Sequence, residues 1–437
     1  MRRTNQHWIE VHARSRALLV GVLLTLSPAC ASLELTLPSF AAGEGAVPAE
    51  YAGVDALLRD AVSEGRAAGI SALVLREGSV DYLQVHGELA LGSGRPLRTD
   101  SICRVYSMTK ALTSVAVMML WEEGRIGLDD PVESYLPEWG EVEVGRYQLS
   151  GFSVVPRERS ITIRDLLRHT SGIPYHSWLP APYPELYSKE FGEGPMVFGP
   201  EQATSLADFS ERLARVPLAH QPGFMWTYGA STDVLGRVIE VVSGQPFDEF
   251  LSERLLAPLE MVDTAFWVPE EKWGRFSALH NTKEGGRVSE VDEGGWASYR
   301  KTPANPSGGG GLVSTLQDYA IFLQMLVEGG EWRGRRYLRE GTVDLMTDPS
   351  SAQGGPHPFF NYWGLGFEII SGKNEEKGWG LEGAYSWSGV ARTHFLVDPE
   401  HELVLLLYQQ TQPFEVGMRN EVFAEMHRAL GLAPEGR

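Results

Sequence analysis

Apolar residues recur along this chain with two spacings, and each predicts a set of elements. Val54, Leu57, Leu58 and Val62 fall on one face of a 3.6-residue spiral, which predicts a helix from Tyr51 that stops at Gly65. Two alternating runs, Ile70–Arg76 and Val80–His86, are split by Glu77-Gly78-Ser79 and predict a hairpin. From Met108 to Trp121 the residues are apolar or small on every side, the pattern of a helix buried all round. Prolines and aromatics crowd Pro174 to Pro200, and the whole stretch from about Gly140 to Gln221 predicts short helices rather than strands. One of these is Ile161–Arg168, with Thr162 as its cap. Longer helices follow over Thr232–Val242 and Leu316–Val327. The last part returns to strands, at Trp363–Ile370, Ala384–Val390, Arg392–Val397 and Glu402–Gln409, before an amphipathic helix over Val416–Leu430.

Strands at both ends with helices between them predict an α+β fold. One antiparallel sheet is built from the N- and C-terminal strands and flanked by helices, and a mainly helical lobe is inserted in the middle. The expected division is an α/β lobe over about 49–105 and 310–437 and a helical lobe over about 106–309, with a cleft where they meet. A chain of 437 residues with 43% hydrophobic content has the core to support this. Its net charge of −19, with no basic cluster, argues against a nucleic-acid partner.

The first residues read as a leader. Arg2, Arg3, Arg14 and Arg16 precede the apolar run Ala17–Leu26, which is too short for a membrane span. Residues 1–31 are expected to be a signal peptide and 32–48 a tether, which makes the protein exported, periplasmic or secreted. Ala29-Cys30-Ala31 fits a cleavage site, and a lipoprotein reading would instead anchor Cys30, the one route to membrane contact. Cys30 and Cys103 are the chain's two cysteines, so a mature chain without the leader has no disulfide. The sequence has no cysteine cluster and no His-Glu-x-x-His run to suggest a metal, and no cofactor is expected.

Candidate chemistry begins at the all-apolar helix. Ser107 stands at its start, either as a cap or as a nucleophile, and Lys110 faces the same side one turn later. Burial and the positive end of the helix dipole both disfavour a lysine cation there, which frees the amine to act as a base toward the hydroxyl. A second Ser-x-x-Lys, Ser298–Lys301, has no apolar helix behind it and reads as loop. His169 ends the Ile161–Arg168 helix beside Thr170-Ser171-Gly172, where bonding to the last carbonyls competes with a role as base. Tyr228, on the bend Gln221–Asp233, is either a core tyrosine or a phenol that shuttles protons beside Lys110. In Trp387-Ser388-Gly389-Val390, Gly389 either relieves crowding or lets a substrate approach; with the Ser107 N–H, an N–H from this strand makes an oxyanion hole. Gly308–Gly311 reads as a close-packing turn, because no Lys-Ser/Thr follows to make a phosphate loop.

Ser107-x-x-Lys110, Tyr228 and Trp387-x-Gly389, in that order, resemble the serine beta-lactamase and penicillin-binding superfamily, in its class C-like branch with serine esterases and D-aminopeptidase-type hydrolases. Ile161–Gly172 and Gly310-Gly-Leu-Val-Ser-Thr315 are similar to further phrases of that family, and the resemblance spans most of residues 50–410. It implies that Ser107 is the nucleophile, Lys110 its base and Tyr228 the third member, with Trp387, Gly389 and Val390 lining the substrate site. Two positions depart from the family pattern. Ala230 stands where the Tyr-x-Asn asparagine belongs, and Trp387 where the lysine of Lys-Thr/Ser-Gly belongs. Loss of an amide and a cation favours neutral acyl groups, and the pattern resembles the esterases of the branch. The implied activity is hydrolysis of small-molecule carboxylic esters through an acyl-enzyme. The rivals are a beta-lactamase or D-amino-acid peptidase on the same fold, and a non-catalytic binding relative. Acyl-chain preference and oligomeric state are not encoded in any motif.

Overall fold

The computed structural model describes residues 47–149, 151–175, 179–192, 203–289, 299–351, 361–375 and 380–433. The leader, Cys30, Ser298 of the second Ser-x-x-Lys, and residues 176–178 and 193–200 of the Pro/aromatic stretch lie outside them.

The strands are β1 (Gly69–Arg76), β2 (Ser79–Gly87), β3 (Tyr362–Trp363), β4 (Glu368–Ile369), β5 (Tyr385–Gly389), β6 (Thr393–Asp398) and β7 (Leu403–Tyr408). They form one seven-stranded sheet in the order β3-β4-β5-β6-β7-β1-β2. Every neighbouring pair is antiparallel, and the N-terminal hairpin joins the C-terminal strands through the register Leu73↔Leu406. The α+β fold with a sheet made from the two ends of the chain is therefore what forms.

Alternation along β1 distributes its side chains between two cores. Ile70, Ala72 and Val74 join Leu405 and Leu407 on the outer face, under helices α1 (Ala52–Ser63) and, at the end of the chain, Gly417–Ala429. Leu73 and Leu75 join Phe395, Val397 and Leu406 on the inner face. That face is covered by α2 (Thr109–Glu122) and the helix Leu316–Val327. Every residue of α2 from Thr109 to Leu120 is buried, as the all-apolar pattern requires. Between β2 and β3 the chain also carries α3 (Ser231–Ser243) and several short helices, among them Ile163–Leu167, where Thr162 and Asp165 make a reciprocal capping box.

Two expectations fail locally. The run from Trp363 to Ile370 is not one strand but the hairpin β3–β4, because two glycines turn it. A Cβ on Gly364 would lie 2.1 Å from the Met346 carbonyl oxygen, and Gly366 has φ +102. The stretch expected to lack strands contains a hairpin, Val144–Gln148 with Gly151–Val155, in register Val144↔Val155. Its outer half is exposed and polar, so its sequence lacks the continuous alternation that marks a strand. Within the Pro/aromatic stretch the helix Tyr183–Phe191 forms as a short helix, with Tyr183, Tyr187 and Phe191 in the core.

Candidate active site

The segment leading into α2 is held from several sides. Cys103–Arg104 pairs with Val313–Ser314, the Val105 N–H donates to the Leu312 carbonyl at 3.1 Å, and the Leu312 N–H donates to the Thr109 hydroxyl at 3.0 Å. The Tyr319 hydroxyl donates to the Met108 carbonyl at 2.9 Å. Tyr106 takes the left-handed φ of +43 and opens a single 3-10 turn, Tyr106–Met108, that runs into α2. A bulky residue in that conformation is strained, and the surrounding bonds are what hold it. Ser107 consequently lies inside the turn rather than at a cap position, and is partly exposed between buried neighbours.

Lys110 is 1% exposed. Its ammonium donates to the Gly309 carbonyl at 2.6 Å, the Tyr175 hydroxyl at 3.1 Å and the Ser107 hydroxyl at 3.3 Å, and stands 4.7 Å from the centre of the Tyr228 ring. Three N–H groups meet three acceptors, so the buried cation is satisfied. The same geometry suits the neutral amine. Gly309 offers only an acceptor, Tyr175 accepts a second N–H, and the lone pair is left for the Ser107 proton.

A close backbone approach builds the far wall of the site. A Cβ on Gly229 would lie 1.9 Å from the Ile173 carbonyl oxygen, so only glycine lets the bend at Tyr228 lie against residues 173–175. The segments are joined by Thr227 N–H to the His169 carbonyl at 2.8 Å, Gly223 N–H to the Thr170 carbonyl at 2.7 Å, and Ser171 hydroxyl to Ser231 hydroxyl at 2.8 Å. This sets Tyr175 and Tyr228 edge to face, 5.2 Å between centroids. Burial, then the nearby Tyr228 and Asp233, push the Tyr175 hydroxyl well up, so it stays protonated.

Trp387 completes that wall from β5. Its ring stands edge-on to Trp363 at 4.5 Å and to Tyr228 at 5.4 Å. The His169 ring lies behind, 5.1 Å from Tyr228 and 5.2 Å from Trp363, within this aromatic group. Ala230 is fully buried and offers no polar side chain. A Cβ on Gly389 would come within 2.4 Å of the Val105 carbonyl oxygen, so glycine lets the end of β5 press against the turn that carries Ser107. Val390 there packs against the small cluster of Tyr106, Leu279 and Ala391.

The structure thus groups Ser107, Lys110, Tyr228 and Trp387, and sets Gly389 and Val390 against the residues immediately before Ser107. Sequence reasoning missed Tyr175 and the Gly309 carbonyl. Tyr175 closes the phrase His169-Thr-Ser-Gly-Ile-Pro-Tyr175, and its signal was a polar-tipped ring directly after a turn that otherwise only packs. Gly309 belongs to the expected close-packing turn, whose Gly308 carbonyl accepts from the Thr113 hydroxyl at 2.8 Å. Among the described residues no group of His, Cys, Asp and Glu could hold a metal.

The profile of the Beta-lactamase family matches residues 54–425. An uncharacterized protein of Mycobacterium tuberculosis is 31% identical over 374 residues, 83% of this chain and 90% of its own length. Esterase EstB of Burkholderia gladioli is 29% identical over 403 residues, 85% of this chain and 94% of its own. Among solved structures, EstCE1, described as a hydrolase with promiscuous acyltransferase activity, superposes with a TM-score of 0.72 at 23% identity, covering 87% of this chain and 98% of that one. That likeness concerns the fold, which is the beta-lactamase and penicillin-binding one.

Proposed function

The chain belongs to the beta-lactamase family, as a serine hydrolase with esterase relatives, and on that premise we propose that it is an exported carboxylesterase working through a Ser107-Lys110-Tyr228 set. The observation that carries the reading is the Lys110 nitrogen 3.3 Å from the Ser107 hydroxyl, with its other two donors engaged by Gly309 and Tyr175. Neutral Lys110 takes the Ser107 proton as the oxygen adds to the ester carbonyl. The N–H groups of Ser107 and Val390 hold the resulting oxyanion. The carbon–oxygen bond to the leaving group then breaks, and the proton returns to the departing alkoxide through Lys110 and Tyr228. Water adds to the acyl-enzyme by the same route, releasing the acid and restoring Ser107.

The substrate reading rests on the aromatic wall. Trp387 and Tyr228, backed by the buried Trp363, present ring surface where a beta-lactam-handling relative would use a lysine, and Ala230 removes an amide donor. Both changes favour an uncharged acyl group over an amide bearing a carboxylate. Export rests on the basic and apolar leader, residues 1–31. The test compares turnover of a p-nitrophenyl ester with that of a chromogenic cephalosporin by the purified chain, with Ser107→Ala as control. Ester cleavage that the control loses is expected. Cleavage of the cephalosporin alone would move the assignment to the beta-lactamase rival.

A further inference from the structure

Asp233 is a buried carboxylate that the mechanism above does not use. It lies in the first turn of α3 and is 3% exposed. Its Oδ1 accepts from the Ser307 hydroxyl at 2.5 Å and from the Gly309 N–H at 3.1 Å. The carbonyl of that same Gly309 accepts from Lys110 at 2.6 Å. One glycine residue is therefore gripped at both ends, by a carboxylate on its N–H and an ammonium on its C=O. Its Oδ2 has no hydrogen-bond partner among the described residues, and a Cβ on Gly309 would lie 2.4 Å from it. A neighbouring Cβ, on Gly308, would lie 2.6 Å from the Thr232 carbonyl oxygen. The glycine turn is what allows α3 and Lys110 to approach from opposite sides.

The charges around this carboxylate are few. Lys110 faces it from α2, and the phenols of Tyr175 and Tyr187 are the other titratable groups that sense it, both kept protonated by burial. Burial raises the proton affinity of Asp233, while Lys110, Ser307 and the Gly309 N–H draw it back down. The first turn of a helix also favours the anion. Lys110 is as deeply buried as Asp233, and the Gly309 peptide links the two, so each is the charge of opposite sign nearest to hand for the other.

We propose that Asp233 is the buried counter-ion of Lys110 and a positioning residue for the hydrolysis. Its grip on the Ser307–Gly309 turn fixes the carbonyl that orients the lysine, and its charge balances the ammonium that forms when Lys110 takes the Ser107 proton. This rests on the Ser107–Lys110 reading, and the experiment separates the two. The pH profile of kcat/KM on a p-nitrophenyl ester is measured for the native chain, Asp233→Asn and Ser307→Ala, each checked for folding by its melting curve and for labelling of Ser107 by a fluorophosphonate. Asp233→Asn is expected to lose about tenfold in kcat/KM. Its acidic limb should move to lower pH by roughly one unit, because without the carboxylate Lys110 sheds its proton more readily. Ser307→Ala weakens the anion without removing it and should move the limb less, in the same direction; it decides the matter if Asp233→Asn does not fold. Unmoved limbs in chains that still label at Ser107 would overturn the counter-ion proposal and leave the hydrolase intact. A native chain that never labels would overturn both.

Discussion

The Tyr175 hydroxyl accepts a hydrogen bond from the Lys110 ammonium at 3.1 Å. Tyr228 meets the same cation differently, with the face of its ring. Two phenols therefore border the lysine, and the proposed catalytic set takes only Tyr228 as its third member. Tyr175→Phe removes one acceptor from a buried cation and is expected to lower kcat/KM by about tenfold. Tyr228→Phe removes the proposed proton relay and should cost roughly a hundredfold or more, mainly in kcat. Steady-state kinetics of the two variants check this, and the reverse ranking would assign the relay to Tyr175.

Trp387 touches both Trp363 and Tyr228, so its indole supports the wall in addition to its proposed contact with substrate. Trp387→Ala should raise KM for apolar p-nitrophenyl esters by about tenfold while kcat changes less. Trp387→Lys should lower ester turnover further and raise the ratio of cephalosporin to ester hydrolysis. Equal loss on both substrates would show that the ring acts only through packing.

Gly389→Ala forces a methyl group to within 2.4 Å of the Val105 carbonyl oxygen and 2.3 Å of the Thr393 hydroxyl. The end of β5 must then move away from the turn that carries Ser107. The expected outcome is a loss of about 1–3 kcal/mol in stability together with a fall in kcat of about tenfold or more. Urea unfolding and initial rates on the same preparation separate the two effects.

Asp318 supplies a pH dependence of stability remote from the chemistry. Burial is the main cause that pushes its carboxyl from 3.8 up to about 6, with the Asp263 carboxylate adding to it and the Asp263 N–H and Thr264 hydroxyl opposing it. The folded chain thus holds this proton more tightly than the unfolded chain, and binds more protons between those two values. Its contribution to unfolding free energy therefore falls as pH rises through that window, by on the order of 3 kcal/mol, and is flat above it. Asp318→Asn deletes this component but loses hydrogen bonds at every pH. Urea melts at about pH 4 and about pH 7 should show the variant gaining on the native chain toward neutrality by that amount.

The sheet was legible because β1, β6 and β7 carry long apolar runs, and α2 because it is apolar on every side. The hairpin at residues 144–155 was not, since its exposed face carries Arg146 and Gln148 and its tip reads as loop. The β3–β4 turn was hidden because Gly364 and Gly366 act through contacts with residues far away in the chain. At the site, Ser107, Lys110, Tyr228 and Trp387 announce themselves by residue type at motif spacing. Tyr175, Gly309 and Asp233 do not. Each acts through Lys110, and the close approaches at Gly229 and Gly309 that bring them there exist only after folding.

The most direct measurement is the rate and position of fluorophosphonate labelling in the native chain, Ser107→Ala and Lys110→Met, followed by peptide mass spectrometry. The account predicts one adduct on Ser107 in the native chain, none in Ser107→Ala, and labelling slowed about a hundredfold or more in Lys110→Met at neutral pH. An adduct on a different serine, or undiminished labelling of Ser107 without the lysine, would contradict it.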